Sequence, residues 1–206
     1  MAYDTIVATA TPHGTGGVSL LRLSGPSSFT TLQLCTKKPL SHFKPRKATL
    51  CDIYDSANYI IDKCLISFFP SPNSYTGEDV VEVSCHGSPV ITDNLINCFL
   101  FCGVRLARPG EFTQRAFLNG KMDLVQAESV SVLISSKSKK SAEFANSALS
   151  GRLSDHVKLI RENIFSVLSE CEYELDISEE EMSNNFNTRS LLTITNEANN
   201  CKNLFT

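Results

Sequence analysis

Long apolar runs are missing from this sequence. The longest, such as Ile66–Pro70, are far too short to span a bilayer. Also missing is any C-x-x-C pair: the eight cysteines (35, 51, 64, 85, 98, 102, 171, 201) fall at irregular intervals. That excludes the usual zinc and dithiol spacings and points to reduced, buried thiols of a cytoplasmic protein rather than a disulfide framework. The opening residues, MAYDTIVATATP, carry neither a basic flank nor a long apolar stretch, and read as the start of a folded domain rather than a targeting segment. Charge of one sign is also in short supply. With 19 Lys+Arg against 22 Asp+Glu and a net charge of −3, the chain has no bulk electrostatic reason to bind a polyphosphate. At 42% hydrophobic and 20% charged, the 206 residues are neither disordered nor collagen-like, and they suffice for a sizeable core.

What is present divides into two textures. Residues 1–118 hold all 8 prolines and 8 of the 10 glycines, between short β-rich runs; residues 119–206 hold no proline and only Gly120 and Gly151. The first part carries 10 basic and 9 acidic residues, the second 9 and 13. We read an α+β domain over 1–118 followed by a helical segment over 119–206, with the fold class α+β rather than doubly wound because strands and helices mix without strict alternation. Strands are expected near Thr5–Thr9, Val18–Leu23, Ala48–Tyr54, Ile60–Phe69, Val80–Ser84 and Val104–Ala107, and helices at Ser27–Cys35 and Pro89–Phe101. The second part offers about four helices by pattern. Apolar residues at 153, 157, 160, 164, 167 and 171 step by 4 and 3, a coiled-coil-like seam that other helices must cover. The acidic run from Glu170 to Glu181 contains no basic residue. It reads as a solvated helix end and loop, or as a contact for a basic partner or a following domain.

Several stretches invite chemistry. His13-Gly14-Thr15-Gly16-Gly17 follows a strand, but no G-K-[ST] occurs there and a strand follows it, so no helix N-terminus faces an anion. The reading is a tight loop whose glycines let the backbone approach something closely. In the run after Pro70, alternation puts Val81 and Val83 on one face and Val80, Glu82 and Ser84 on the other. Glu82 is then either an edge-strand residue facing solvent or an acceptor for a ligand's N–H groups. Cys85 and His86 are adjacent on a strand and point to opposite faces, which gives His86 a positional role rather than a catalytic one. Arg108, Arg115 and Lys121 form a local basic group, and Asp123 stands where it caps or opens a long helix. Arg22 is the only Lys or Arg in the first 36 positions and lies in an apolar strand, as a paired core residue or an anion ligand.

Three stretches carry a resemblance: DTIVATATPHGTGGVSLLRLSGP at Asp4–Pro26, FPSPNSYTGEDVVEVSCHG at Phe69–Gly87 and ARPGEFTQRAFLNGKMDLVQAE at Ala107–Glu128, with a weaker LDISEEE at Leu175–Glu181. In register to about residue 181, the chain resembles the N-terminal part of the tRNA modification GTPases of the MnmE (TrmE) family. The resemblance implies a folate-binding fold related to the glycine cleavage T-protein, dimerising through that domain. It implies a 5-formyl- or methylene-tetrahydrofolate cofactor near the dimer interface, and a helical domain interrupted by a Ras-like G domain. It also implies joint work with a flavoprotein partner (MnmG, GidA) to place a (carboxymethyl)aminomethyl group at C5 of the wobble uridine of certain tRNAs. Carried over by position, the family's folate contacts fall on Arg22, Glu82 and Lys121. A carboxylate suits the adjacent N–H and amino groups of a pterin, and cations suit the carboxylates of the folate tail. No metal ligand and no catalytic residue is assigned.

Departures from the family pattern shape the expectation. No G-x-x-x-x-G-K-[ST] and no N-K-x-D occurs, so GTP, Mg and K belong to a G domain this chain lacks. The C-terminal half of the helical domain, with its catalytic cysteine motif, is also missing. Thr15 and Ser88 stand where the family often has Arg and Gly. We therefore expect a truncated form with folate-binding and dimerisation domain and part of an α-helical bundle, reaching tRNA only through the complex and having no membrane contact. The alternatives are a stand-alone folate-binding and dimerisation module without catalysis, and an aminomethyl transferase like the T-protein.

Overall fold

A computed structural model describes residues 4–176 and 186–203. It falls into two compact units, 1–127 and 128–206. In the first, six strands form one sheet: β1 (Ile6–Thr9), β2 (Gly16–Ser24), β3 (Thr49–Tyr54), β4 (Ile60–Phe69), β5 (Val80–Gly87) and β6 (Arg105–Leu106), in the spatial order β3-β4-β5-β2-β1-β6. All neighbours are antiparallel except β1 and β6. Three helices accompany the sheet: α1 (Ser28–Thr36), α2 (Pro89–Phe101) and α3 (Glu111–Leu118).

Strand alternation sets the two faces. Leu21 and Leu23 on β2, Val81, Val83 and Cys85 on β5, Ile66 and Phe68 on β4 and Ile53 on β3 are buried, and they pack with Leu32 of α1 and with Leu95 and Phe99 of α2. Phe29 of α1 meets Phe68 edge-on at 5.0 Å. Fully burying each such side chain contributes about 1.5–3 kcal/mol, so this layer supplies the main cohesion of the unit. The opposite face carries Leu20, Arg22, Glu82, Ser84 and Ser67, all of them only half-buried.

Two strands run further than the sequence suggested. β2 begins at Gly16 and β5 continues to Gly87, so the last residues of the expected glycine loop are strand. The two backbones meet there closely: a Cβ on Gly87 would lie 2.5 Å from the Gly16 carbonyl oxygen. A register shift between Gly16 and Ser19 absorbs the approach.

The second unit is helical: α4 (Leu124–Ser135), which starts in the first unit, then α5 (Lys139–Leu149), α6 (Arg152–Asp176) and α7 (Phe186–Asn203). Asp123 Oδ1 accepts from the Gln126 N–H, and Gln126 Oε1 accepts from the Asp123 N–H, both at 2.9 Å. This reciprocal capping box starts α4. α5 packs on α6 and α6 on α7. Of the expected seam, Val167 is buried and Leu153, Ile160 and Cys171 are half-buried, while Val157 and Ile164 stay about half exposed (52% and 51%). The seam is therefore covered only in part. The LDISEEE match falls largely outside the residues described, as do Glu179, Glu180 and Glu181 of the acidic run.

Candidate functional site

Two long-range strand pairings build the site. β2 registers Arg22 opposite Glu82 of β5, and β4 registers Ser67 opposite Glu82 on the other side. β1 places Ala8 opposite Arg22. A row Ser67–Glu82–Arg22–Ala8 therefore crosses four strands on the face turned away from α1 and α2. The side chains at its two ends are small, so the charged pair in the middle is not crowded from along the row. β5 is an interior strand, which removes the edge-strand reading of Glu82.

Arg22 donates to Glu82 Oε1 from Nε at 2.9 Å and from an Nη at 2.7 Å. Both bonds land on one oxygen; among the described residues no donor reaches Oε2. Each side chain is 24% exposed, so the pair is partly desolvated but open to a ligand. Two aromatic rings flank the guanidinium: Tyr75 at 5.1 Å and Phe112 at 5.9 Å. Tyr75 is steadied by a 2.9 Å hydroxyl contact with Thr113. Neither ring was singled out from the sequence. They come from the loop after β4 and from α3, and no local spacing links them to a strand residue more than fifty positions earlier.

Lys121 stands apart from the pair. Its Nζ donates to the Pro72 carbonyl at 3.1 Å, and its side chain packs beside Gly77. Gly77 has φ +78 and its missing Cβ would lie 3.3 Å from the Lys121 stem. Lys121 is thus tied to the same loop, residues 70–79, that brings Tyr75 over Arg22.

That loop and α3 are fixed by a second charge cluster, and here the expected basic group is corrected. Arg115 is buried (2% exposed) and bonds Asp4, Glu78 and Glu111. Arg105 bonds Asp4 and Glu111, and Arg108 bonds Glu111 through its backbone N–H at 2.8 Å. Asp4 and Glu78 from distant segments, with the local Glu111, thus neutralise arginines that look like a basic patch in sequence. The Arg105 guanidinium, outweighing burial, holds the Glu111 carboxyl far below the usual carboxylate range. The buried Ser24 hydroxyl joins this cluster to the sheet, contacting Thr76 and donating to Glu78, each at 2.6 Å.

His86 has the positional setting its sequence context suggested. Asp62 accepts from the His86 backbone N–H and contacts its Nδ1, both at 2.8 Å, while the ring itself stays 70% exposed. Burial works against the charge on Asp62, but the hydrogen bonds from His86 and from the Lys63 N–H prevail and lower its pKa. Cys85 lies on the buried side. Among the described residues, no group of three or more His, Cys, Asp or Glu is arranged to hold a metal ion. No described helix is long and apolar enough to cross a membrane.

Comparison with known proteins gives the site a setting. The family model "GTP-binding protein TrmE N-terminus" matches residues 5–121, and the model "MnmE helical domain" matches 124–205. The chain is 43% identical over 194 residues to the tRNA modification GTPase MnmE of Legionella pneumophila, covering 93% of this chain and 43% of that protein. It is 47% identical over 177 residues to the protein of that name from Thermotoga petrophila, and 46% over 180 residues to that from Francisella philomiragia, covering 86% and 87% of this chain and 39% of each relative. The chain thus spans about two-fifths of the length of these curated relatives.

Proposed function

The chain belongs to the MnmE family of tRNA modification GTPases, and from that premise we propose that its sheet region is a tetrahydrofolate-binding and dimerisation domain. Arg22, Glu82 and Lys121 are its cofactor contacts. The observation that carries the reading is the Arg22–Glu82 pair, which sits on a sheet face beside two aromatic rings and whose Oε2 no donor reaches among the described residues. That donor set suits a reduced pterin. Glu82 can accept the adjacent N–H and amino groups through the two lone pairs of Oε2, since the Arg22 bonds occupy Oε1. Tyr75 and Phe112 offer apolar surface to the ring, and Lys121 offers a cation to a tail carboxylate. The bound cofactor, 5-formyl- or methylene-tetrahydrofolate, would supply a one-carbon unit.

On this reading the domain serves an assembly that places an aminomethyl-type group at C5 of the wobble uridine of certain tRNAs. The assembly pairs two copies of the chain with a flavoprotein partner in the cytoplasm. No G-x-x-x-x-G-K-[ST] occurs in the 206 residues, so the reading gives these residues the folate and not GTP.

Calorimetric titration of 5-formyl-tetrahydrofolate into the purified chain tests it, with Glu82→Ala and Lys121→Ala alongside. Hydrogen bonds to a charged group contribute about 1.5–3 kcal/mol each, so Glu82→Ala is expected to weaken binding at least tenfold. Lys121→Ala, contacting only an exposed tail, is expected to weaken it several-fold. Absence of binding to a chain of native circular dichroism would remove the folate assignment. Equal binding by Glu82→Ala would move the site elsewhere.

A further inference from the structure

A second site lies on the other side of the sheet. A cavity of about 730 Å³ opens between the end of α1, the face of α2 and the turn joining β3 to β4. Its wall mixes apolar residues (Leu34, Ile61, Phe101) with polar ones (Asp55, Asn94, Asn97), so water and small polar solutes can enter. Three thiols line it: Cys35, Cys98 and Cys102. Cys98 and Cys102 stand one turn apart on and just after α2, on the side that meets Cys35 of α1. The Cys35 sulfur lies 3.4 Å from that of Cys98 and 3.7 Å from that of Cys102. Cys35 is buried at 3% exposure, whereas Cys98 is half-buried.

We propose that this cavity is a thiol-modification site, in which Cys98 captures a hydroperoxide and Cys35 closes an intramolecular disulfide with it. Two distances and the cavity lining single out this pair: Cys98 lies nearer to Cys35 than Cys102 does (3.4 against 3.7 Å), and Cys51, Cys64 and Cys85 do not line the cavity. Cys51, Cys64 and Cys85 are buried, and burial pushes each of their thiols up, which makes them inert. Both sulfurs line the cavity, but Cys98 is half-buried and Cys35 is buried, so a solute entering the cavity reaches Cys98 more readily. Cys98 is thus the attacking sulfur and Cys35 the resolving one.

The steps balance. The Cys98 thiolate attacks the terminal oxygen of R–O–O–H. The O–O bond breaks, Cys98 becomes a sulfenic acid, and the alkoxide leaves with the proton Cys98 gave up, as an alcohol or, for hydrogen peroxide, as water. The Cys35 sulfur then attacks the Cys98 sulfur; the S–O bond breaks and hydroxide leaves with the Cys35 proton as water. Two thiols lose two electrons and two protons to the peroxide. A disulfide sulfur pair lies about 2.05 Å apart, so the two sulfurs must close by about 1.4 Å, and Cys98 must release the Tyr54 carbonyl it contacts at 3.2 Å.

The test treats the full chain with hydrogen peroxide, alkylates the remaining thiols and maps the peptides by mass. Wild type is expected to lose two of its eight thiols, linked Cys35 to Cys98, and to regain both with dithiothreitol. Cys51→Ser is expected to behave like wild type. Cys35→Ser is expected to stall at a Cys98 sulfenic acid that dimedone traps. Cys98→Ala should slow the loss of Cys35 at least tenfold while keeping native circular dichroism. The proposal fails if the link joins any other pair or two separate chains. It also fails if excess peroxide leaves all eight thiols free, or if Cys98→Ala loses Cys35 at the wild-type rate.

Discussion

Arg115 shows how much one side chain can hold. Its guanidinium is 2% exposed and reaches the Asp4 carbonyl at 2.8 Å, the Asp4 carboxylate at 3.0 Å, Glu78 at 3.1 Å and Glu111 at 3.1 Å. It thereby joins α3 to the N-terminal segment and to the loop that carries Tyr75. Removing one partner of a buried ion group strands the others, at a cost of about 3–5 kcal/mol. We therefore expect Arg115→Ala to lower the urea midpoint of the first unit sharply, and Arg115→Lys to recover little of it, because an ammonium cannot reproduce the planar fork. Equilibrium denaturation followed by circular dichroism reads both. Arg108, with its side chain 74% exposed, serves as the contrast: its replacement by Ala should shift the midpoint by a small fraction of the Arg115→Ala effect. Along the chain only the i,i+4 pair with Glu111 was legible; Asp4 and Glu78 come from distant segments. Arg108, Arg115 and Lys121 sit together in sequence, and only the fold supplies the distant carboxylates that separate their roles.

Elements were more legible than their partners. β4 spans Ile60–Phe69 and α2 spans Pro89–Phe101, as periodicity and the Pro89 start predict, because both signals are local. The ends of β2 and β5 were not legible. Glycine depresses strand propensity, yet Gly87 is a strand residue because a Cβ there would strike the Gly16 carbonyl, and Gly16 is one because it pairs with Gly87. The candidate site followed the same division. The alternation that sends Glu82 away from the core is local, while its contact with Arg22 joins residues 60 positions apart and depends on strand order. The start of α4 is again local: Asp123 and Gln126 form a capping box. Loss of such a cap typically costs about 1 kcal/mol. Asp123→Ala is expected to lower stability by that amount, and Asp123→Asn or Asp123→Ser to restore most of it. A thermal-melt series over the three variants checks this. Equal midpoints for Asp123→Ala and Asp123→Asn would deny the cap any role.

At the scale of the whole molecule, the charge clusters tie stability to pH. The Arg105 hydrogen bonds hold both Glu111 and Asp4 below their ordinary pKa, and at Asp62 the hydrogen bonds from His86 and Lys63 do the same against burial. These carboxylates therefore hold a proton less readily in the folded chain than in the unfolded one. Above the unfolded values, near pH 4, both states are ionised and the stabilisation is complete. As pH falls below about 5, the unfolded chain takes up protons first and the folded state loses its advantage, until the folded carboxylates protonate as well. The sheet unit should thus show flat stability between pH 6 and 8, and a urea midpoint that falls steadily from pH 5 towards pH 3. Glu111→Gln should be less stable than wild type at pH 7 and show a shallower acid slope, because the group with the most strongly lowered pKa has been removed. Urea titrations at pH 7, 5, 4 and 3 on both proteins separate the two effects. Parallel acid slopes would show that other groups, and not the cluster joining α3 to the sheet, govern the acid response.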